Sequence, residues 1–298
     1  PCGRPDQGRH GGLPLPTTQQ RCLMSYLVFA RKFRPQTFDE IVGQETIVTT
    51  LKNAIRQERI AQNFLFSGPR GIGKTSTARI LAKALNCAQG PTEEPCGKCL
   101  ACTEITQGNS LDVLEIDGAS NRGIDEIRNL RETVKFKPVN GRFKVYIIDE
   151  VHMLTTEAFN ALLKTLEEPP PHVKLIFATT EFHKVPLTIL SRCHRFNFKR
   201  VSLQGIIAKL EEIAKLEKLK VDPKALFVIA KASEGALRDA EGLLDQLASF
   251  SEERIKEEDV LLMLGLAPEE ALFSVLAALK NKDAREIFTL VSELYDGG

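Results

Sequence analysis

The sequence predicts an α/β fold built on a parallel sheet, followed by an all-helical region. Short apolar runs alternate with helical patterns over residues 24–200. Such near-continuous apolar strands are typical of parallel sheets that are covered by helices on both faces. After residue 200 the strand patterns end, and apolar residues recur at helical spacing. We therefore expect one α/β domain with a helical region after it.

Four apolar runs predict strands of the sheet, and two intervening segments predict helices. The runs are NFLFSG from Asn63, LDVLEID from Leu111, FKVYIIDE from Phe143 and VKLIFATT from Val173. The segments TSTARILAKAL and EAFNALLKTLEE have the apolar spacing of helices. Because parallel strands need crossover connections of this kind, the order of the segments supports a parallel sheet.

The rest of the chain divides into three regions. Residues 201–265 carry several helical patterns, and Asp222 followed by Pro223 marks the start of one of these helices. We expect a small helical domain there, and the start of a further, truncated helical domain at residues 266–298. Residues 1–23 are rich in Gly, Pro and Gln, lack periodicity and precede Met24, so we expect a disordered leader upstream of the natural start.

Composition and charge exclude several classes of protein. At 298 residues, with 43% hydrophobic and 27% charged residues, the chain has the composition of a globular protein of two or three domains. It has neither an apolar run of the roughly 18 residues that a membrane span needs nor the apolar core of a secretory signal. We therefore expect a cytoplasmic protein without a membrane partner. The net charge of +1 means that any contact with nucleic acid would come from a local patch.

A glycine-rich segment after the first predicted strand fits the phosphate-binding pattern G-x-x-x-x-G-K-[ST]. It reads GPRGIGKT and is followed by a helical pattern. In such a loop the glycines let backbone N–H groups surround phosphates, the lysine adds a cation at the β and γ oxygens, and the hydroxyl binds Mg²⁺. The segment therefore predicts a site for ATP and Mg²⁺. The predicted nucleotide-binding residues are Gly68, Pro69, Arg70, Gly71, Ile72, Gly73, Lys74, Thr75 and Ser76.

Two carboxylates follow the strand pattern that ends in YIIDE. We expect Asp149 to hold Mg²⁺ through water, and Glu150 to orient and deprotonate the attacking water. Taken alone, such residues are also common at solvated strand ends. The phosphate-binding loop upstream favours the hydrolytic interpretation, in which Lys74, Asp149 and Glu150 are catalytic and Thr75 and Asp149 hold Mg²⁺.

Four of the seven cysteines cluster after the helix that follows the loop. Cys87, Cys96, Cys99 and Cys102 have the spacing C-x8-C-x2-C-x2-C. Four thiolates satisfy a tetrahedral zinc ion, so the spacing predicts a structural Zn²⁺ module over residues 87–102. Cys193 lies apart from this cluster, and we expect it to be a buried small hydrophobic residue.

These motifs resemble the clamp-loader branch of the AAA+ ATPases, and most closely the gamma/tau subunits of bacterial DNA polymerase III. Similar phrases include ARKFRPQTFDEIVGQE at residues 30–45, NALLKTLEEPP at 160–170 and SRC at 191–193. The resemblance covers the chain from Met24 to its end. Within the clamp-loader branch, the four-cysteine module favours the gamma/tau subunits in particular. It implies an AAA+ ATPase domain with a zinc-binding insertion, a helical lid domain and the start of a helical collar domain.

The resemblance also implies roles for residues that their local patterns leave unremarkable. Thr180 matches the sensor-1 position, where a hydroxyl holds the lytic water or the γ-phosphate. Arg192 matches the arginine finger, which reaches into the ATP site of a neighbouring subunit. Arg238 matches sensor 2 on a lid helix and would bridge the phosphate to the lid. Val42 falls in the phrase that lines the adenine pocket, although it also fits a linker packed on the core.

The resemblance further implies several partners. These are other clamp-loader subunits in a hetero-oligomeric ring, the sliding clamp, and primer-template DNA recognised by its backbone and shape. Arg122, Arg128 and Arg131 are candidates for phosphate contacts. The same segment carries Asp125 and Glu126, so a solvated face of mixed charge is an equally good interpretation.

We therefore expect an ATPase that loads the sliding clamp onto primed DNA during replication and has no polymerase site of its own. Two alternatives are a helicase-like AAA+ translocase, such as a branch-migration motor, and a structural subunit that does not bind ATP. The cysteine module and the SRC phrase argue against the translocase. The presence of Lys74, Thr75, Asp149 and Glu150 argues against the structural subunit.

Overall fold

A computed structural model describes residues 26–121, 123–250, 253–266 and 269–296, so the leader expected at residues 1–23 lies outside the described residues. The strands are β1 (Asn63–Ser67), β2 (Val113–Asp117), β3 (Lys144–Asp149), β4 (Val173–Thr179) and β5 (His194–Asn197). All the strand pairs are parallel, and the order across the sheet is β2-β3-β4-β1-β5. The predicted parallel α/β fold is confirmed.

Helices cover the sheet, and the residues that the structure describes after β5 form helices and no further strand. In the α/β part they are α1 (Phe29–Lys32), α2 (Glu45–Arg56), α3 (Lys74–Asn86), α4 (Leu100–Gln107), α5 (Ile124–Thr133), α6 (Thr156–Glu167) and α7 (Leu187–Leu190). After the sheet they are α8 (Leu203–Leu216), α9 (Pro223–Ala232), α10 (Leu237–Phe250), α11 (Glu257–Leu264), α12 (Glu269–Asn281) and α13 (Ala284–Asp296). As predicted, Asp222 is at the N-cap position of α9 and Pro223 lies in its first turn, although the Asp222 side chain makes no capping hydrogen bond. Within the described ranges, no helix is both long and apolar enough to cross a membrane.

Two apolar clusters enclose the sheet, one on each face. Phe64 and Phe66 of β1 pack with side chains of α2 and α3, whereas Leu65 packs with side chains of α5 and α6. This alternation follows from the pleat of a strand, which turns successive side chains to opposite faces. Every residue of β1 is buried. Burial on both faces explains why the strand reads as an apolar run and not as an alternating pattern.

One strand and five helices of the α/β part were not predicted from the sequence, namely β5, α1, α2, α4, α5 and α7. β5 is a short edge strand whose residues are mostly exposed, so it lacks an apolar run. Helices α2 and α5 are amphipathic, and only one stripe of each is apolar. α2 could have been identified from Ile47, Leu51 and Ile55, which are apolar residues at helical spacing.

The helical region has an apolar core of its own. Leu210, Ile229 and Leu244 from α8, α9 and α10 are buried in one cluster. Phe29 of α1 and Val201 belong to the same cluster. The segment that precedes the sheet is therefore packed against the helices that follow it.

A buried carboxyl group lies in this helical region. Glu241 of α10 has only 5% of its surface exposed. Burial raises the pKa of this carboxyl to about 7, while the positive charges of Lys209 and Arg34 act in the opposite direction. The folded protein therefore keeps a proton on Glu241 over a pH range in which the unfolded chain releases it.

We predict that Glu241→Gln stabilises the nucleotide-free protein above neutral pH. Because the folded-state pKa is raised, the stability linked to the protonated group is complete below about pH 4.5 and is lost as the pH rises through about 7. The amide does not ionise, so its advantage in urea-induced unfolding should grow from about pH 5 and reach on the order of 3 kcal/mol near pH 8. The exposed control Glu211→Gln should show no such growth. Parallel pH profiles for wild type and Glu241→Gln would contradict the prediction.

Candidate functional site

The glycine-rich loop connects β1 to α3, and its backbone requires glycine. Gly68, Gly71 and Gly73 have φ angles of 145°, 74° and 98°, which other residues adopt rarely. A Cβ added to Gly68 would lie 2.5 Å from the carbonyl oxygen of Phe198. The loop therefore needs glycine at residue 68 both for its conformation and for its close contact with the segment after β5.

Helix α3 begins earlier than the sequence pattern indicated. It starts at Lys74, one residue before the predicted helical segment TSTARILAKAL, with Gly73 as its N-cap. Lys74 and Thr75 therefore lie in the first turn, at the helix end whose free N–H groups and positive dipole bind phosphate. Lys74 is only 6% exposed, and its ammonium donates to the carbonyl oxygens of Gly68 (2.9 Å) and Pro69 (2.7 Å). Burial lowers its pKa, and the negative charges of Glu150 and Asp149 oppose that shift.

The carboxyl end of β3 lies beside this first turn. The Thr75 hydroxyl donates to Oδ2 of Asp149 at 2.5 Å, and Oδ1 of Asp149 accepts from the backbone N–H of Glu150 at 2.9 Å. A hydroxyl and a carboxylate form the oxygen-rich set that Mg²⁺ prefers. Both predicted Mg²⁺ residues are therefore in contact, and their chemistry fits the ion.

Glu150 has an unusual backbone conformation at the start of the short helical turn Val151–Met153. Its φ of 44° lies in the left-handed region, which is uncommon for a residue other than glycine. Its Oε2 accepts from the Thr180 hydroxyl at 2.9 Å and from the Thr180 N–H at 3.3 Å. The structure thus brings together the two residues expected to act on the attacking water.

The helical region reaches the loop through the start of α10. The backbone N–H of Arg238 donates to the carbonyl oxygen of Gly71 at 3.2 Å. A Cβ added to Gly71 would lie 3.1 Å from Cβ of Ala236. Arg238 is therefore next to the loop, as its expected sensor-2 role requires. Val42 is partly buried and packs against the apolar cluster of the helical region.

Arg34 is a candidate site residue that sequence reasoning missed. Burial lowers the pKa of its guanidinium, and the nearby Arg79 and Arg238 add to the shift, while Glu115 and Asp149 oppose it. Its charge therefore interacts electrostatically with Asp149 at the carboxyl end of β3 and with Arg238 at the start of α10. No pattern in the phrase ARKFRPQTF distinguishes Arg34 from the other basic residues, so only the fold identifies it.

Arg192 lies away from the loop of its own chain. Its carbonyl oxygen accepts from the Asn63 side chain at 3.1 Å, and Asn63 is the first residue of β1. The loop follows the other end of this strand, which spans about 16 Å. The Arg192 guanidinium pairs with Glu167 at 2.7 Å and donates to the Thr188 carbonyl at 2.8 Å. The structure therefore does not bring Arg192 together with the other predicted catalytic residues.

Two of the three arginines considered for DNA contact, Arg128 and Arg131, lie in α5. Arg122 lies outside the described residues. Arg128 and Arg131 are exposed, and Arg128 pairs with Asp125 at 3.3 Å. This part of the helix is a mixed-charge surface, as the alternative interpretation expected.

The four predicted zinc ligands converge at the junction of α3 and α4. The Sγ atoms of Cys87, Cys96, Cys99 and Cys102 all lie within 4.8 Å of one another. Tetrahedral Zn²⁺ with Zn–S bonds of about 2.3 Å separates its sulfurs by about 3.8 Å, so the four thiols fit this ion. Sγ of Cys87 accepts from the Cys96 N–H and Sγ of Cys96 accepts from the Cys99 N–H, both at 3.4 Å.

The backbone also prepares one thiol for metal binding. The N–H groups of Lys98 and Cys99 lower the pKa of the Cys96 thiol to about 6. Zinc binds thiolates, so this shift favours the ligand form. By contrast, desolvation raises the pKa of Cys193 to about 12. This cysteine lies outside the four-cysteine cluster and is half-buried, not fully buried as expected, where it packs against the apolar cluster of α5 and α6.

We predict that the purified protein contains one zinc ion per chain, measured by metal analysis. Cys96→Ser and Cys102→Ser should each lose the ion, whereas Cys193→Ser should keep it. Removal of the metal with a chelator should lower the midpoint of thermal unfolding, because binding free energy contributes to folding. Protein without zinc, or equal zinc content in all three variants, would contradict the prediction.

Comparison with known proteins gives matches over both parts of the fold. The family model described as "DNA polymerase III, delta subunit" matches residues 43–202. The model described as "DNA polymerase III clamp loader subunit, ATPase lid domain" matches residues 205–253.

Relatives match nearly the whole chain. DNA polymerase III subunit tau of Bacillus subtilis is 51% identical over 275 residues, which are 92% of this chain and 49% of that protein. DNA polymerase III subunit gamma of Buchnera aphidicola subsp. Acyrthosiphon pisum is 44% identical over 271 residues, which are 91% of this chain and 75% of that protein. The chain spans about half the length of the first relative.

Solved structures support the fold. The RuvB Holliday junction branch migration motor of Thermotoga maritima has a TM-score of 0.56 at 22% identity, over 77% of this chain and 71% of that chain. At this level of identity the likeness concerns the fold alone. It agrees with a parallel five-stranded sheet followed by a helical lid.

Proposed function

Because the chain belongs to the gamma/tau family of DNA polymerase III clamp-loader subunits, we propose that it is an ATP-driven motor subunit of a clamp loader. ATP binding and hydrolysis would open the sliding clamp and load it onto primed DNA during replication. One observation carries this proposal: Lys74, Thr75, Asp149 and Glu150 lie together beside a glycine loop. A phosphate-binding loop next to a hydrolytic carboxylate is what a nucleotide-driven motor requires.

We assign the chemistry of ATP hydrolysis to residues at and just after the carboxyl ends of β1, β3 and β4. The loop N–H groups and Lys74 would bind the phosphates, while Thr75 would hold Mg²⁺ directly and Asp149 would hold it through water. When bound, the ion neutralises charge on the phosphate oxygens. Glu150 accepts a proton from the water that attacks the γ-phosphate, and Thr180 positions that water or the γ-phosphate.

A neighbouring subunit would complete the site. Arg192 is at the end of β1 opposite to the loop, so it is suited to reach ATP bound by a neighbour and to stabilise charge on its γ-phosphate. Arg238, whose backbone contacts the loop, would bind the phosphate with its side chain and couple the nucleotide to the lid. Val42 would line the adenine pocket. Hydrolysis would then depend on assembly.

We also propose the arrangement of the whole subunit. Residues 24–200, 201–265 and 266–298 would form the ATPase, lid and collar domains within a hetero-oligomeric ring that acts in the cytoplasm. The zinc ion would be structural, because four thiolates fill its coordination sphere. Arg122, Arg128 and Arg131 would contact phosphates of primer-template DNA, which fixes position and not sequence.

The proposal is tested by measuring ATP hydrolysis by the full chain alone and after adding the other clamp-loader subunits, the sliding clamp and primed DNA. We expect strong stimulation only by the complete set. Lys74→Ala should abolish ATP binding and stimulation, because it removes the cation of the loop. The control Arg59→Ala should retain both, because its exposed side chain lies outside the loop. Stimulation by unprimed duplex or by a four-way junction would favour a branch-migration motor instead.

A further inference from the structure

A histidine lies next to the side-chain carboxylate of Glu150, the proposed catalytic base. His152 belongs to the short helical turn Val151–Met153 that follows Glu150, and 5% of its side chain is exposed. Its Nδ1 is 3.0 Å from Oγ1 of Thr179 and 3.3 Å from Oε2 of Glu150. Its Nε2 is 3.4 Å from Oε1 of Glu181. The imidazole is thus surrounded by polar groups of the site and of the end of β4.

The surroundings of the ring fix its orientation. Thr179 is fully buried, and its hydroxyl oxygen accepts from the N–H of Glu181 at 3.0 Å. An unprotonated Nδ1 would direct its lone pair at the Glu150 carboxylate, which is unfavourable. The geometry therefore favours a proton on Nδ1 that is donated toward Thr179 and Glu150.

The two oxygens of Glu150 have different surroundings. Oε2 receives the hydroxyl and the N–H of Thr180 and lies within reach of His152. Within the part of the chain that the structure describes, no hydrogen bond to Oε1 is present. One oxygen is therefore fixed, and the other is left to accept a proton.

We propose that His152 is a positioning residue, which together with Thr180 holds the Glu150 carboxylate in the orientation that takes a proton from the attacking water. The inference rests on the proposed function, in which Glu150 is the general base. His152 acts through Glu150 and does not touch ATP. Its loss should therefore lower kcat and leave ATP binding unchanged.

The substitutions His152→Asn and His152→Gln distinguish the contributions of the two ring nitrogens. Asn places its amide nitrogen near the position of Nδ1, whereas Gln places it near the position of Nε2. In the full chain assembled with its partner subunits, clamp and primed DNA, His152→Ala and His152→Gln should lower kcat by about 10- to 100-fold, as expected when a catalytic group loses its position. His152→Asn should stay within about threefold of wild type, and ATP affinity in all three within about twofold.

A second comparison tests whether the effect passes through Glu150. In a Glu150→Gln background, adding His152→Ala should change the residual rate by less than about twofold, because residues that act as a unit are not additive. The role proposed for His152 would be wrong if His152→Asn and His152→Ala lost equal activity, if His152→Ala kept wild-type activity, or if ATP affinity fell in parallel with kcat. These results would leave the assignment of Glu150 unaffected. Wild-type activity in Glu150→Gln would overturn the assignment of Glu150 itself.

Discussion

The candidate site depends on the position of β4 between β1 and β3 in a parallel sheet. Since the carboxyl ends of parallel strands share one edge, the loop after β1 and the carboxylates after β3 both meet the end of β4. The Thr179 carbonyl oxygen accepts from the Gly68 N–H at 3.2 Å, and the next residue, Thr180, donates to Glu150. One strand end therefore sets the distance between the phosphate-binding loop and the proposed base.

The same edge of the sheet also contacts the lid. The N–H of Arg238 binds the Gly71 carbonyl, and the N–H of Val201 binds the carbonyl oxygen of Gly235 at 3.1 Å. Gly235 has a φ of 89°, and a Cβ added there would lie 2.6 Å from Cβ of Arg200. These close backbone contacts leave little space between the two parts. If nucleotide binding shifts the loop, these contacts would pass the shift to α10, as the motor role proposed above requires.

The features predictable from the sequence are those that produce a local pattern. The buried strands read as apolar runs because both their faces are covered, and the loop and the cysteines were identified because their spacing is set by the ligand. β5 gave no such signal, since an exposed edge strand has no apolar run. Arg34 and His152 could not be identified either, because their surroundings come from segments distant in sequence. The resemblance to a family identified Arg192 as a candidate site residue. Only the fold shows that Arg192 lies at the end of β1 opposite to the phosphate-binding loop.

The central claim is that this chain contains half of a hydrolytic site and that a neighbour supplies the rest. The most direct test is single-turnover hydrolysis of ATP by Arg192→Ala, measured in the isolated chain and in the assembled ring, with the exposed Arg59→Ala as control. We predict that the isolated chains bind ATP equally and hydrolyse it slowly whether or not Arg192 is present. In the ring, Arg192→Ala should lower the rate by about 10³-fold, the range expected for an arginine finger. Fast hydrolysis by the isolated wild-type chain, or an unchanged rate for Arg192→Ala in the ring, would contradict the account.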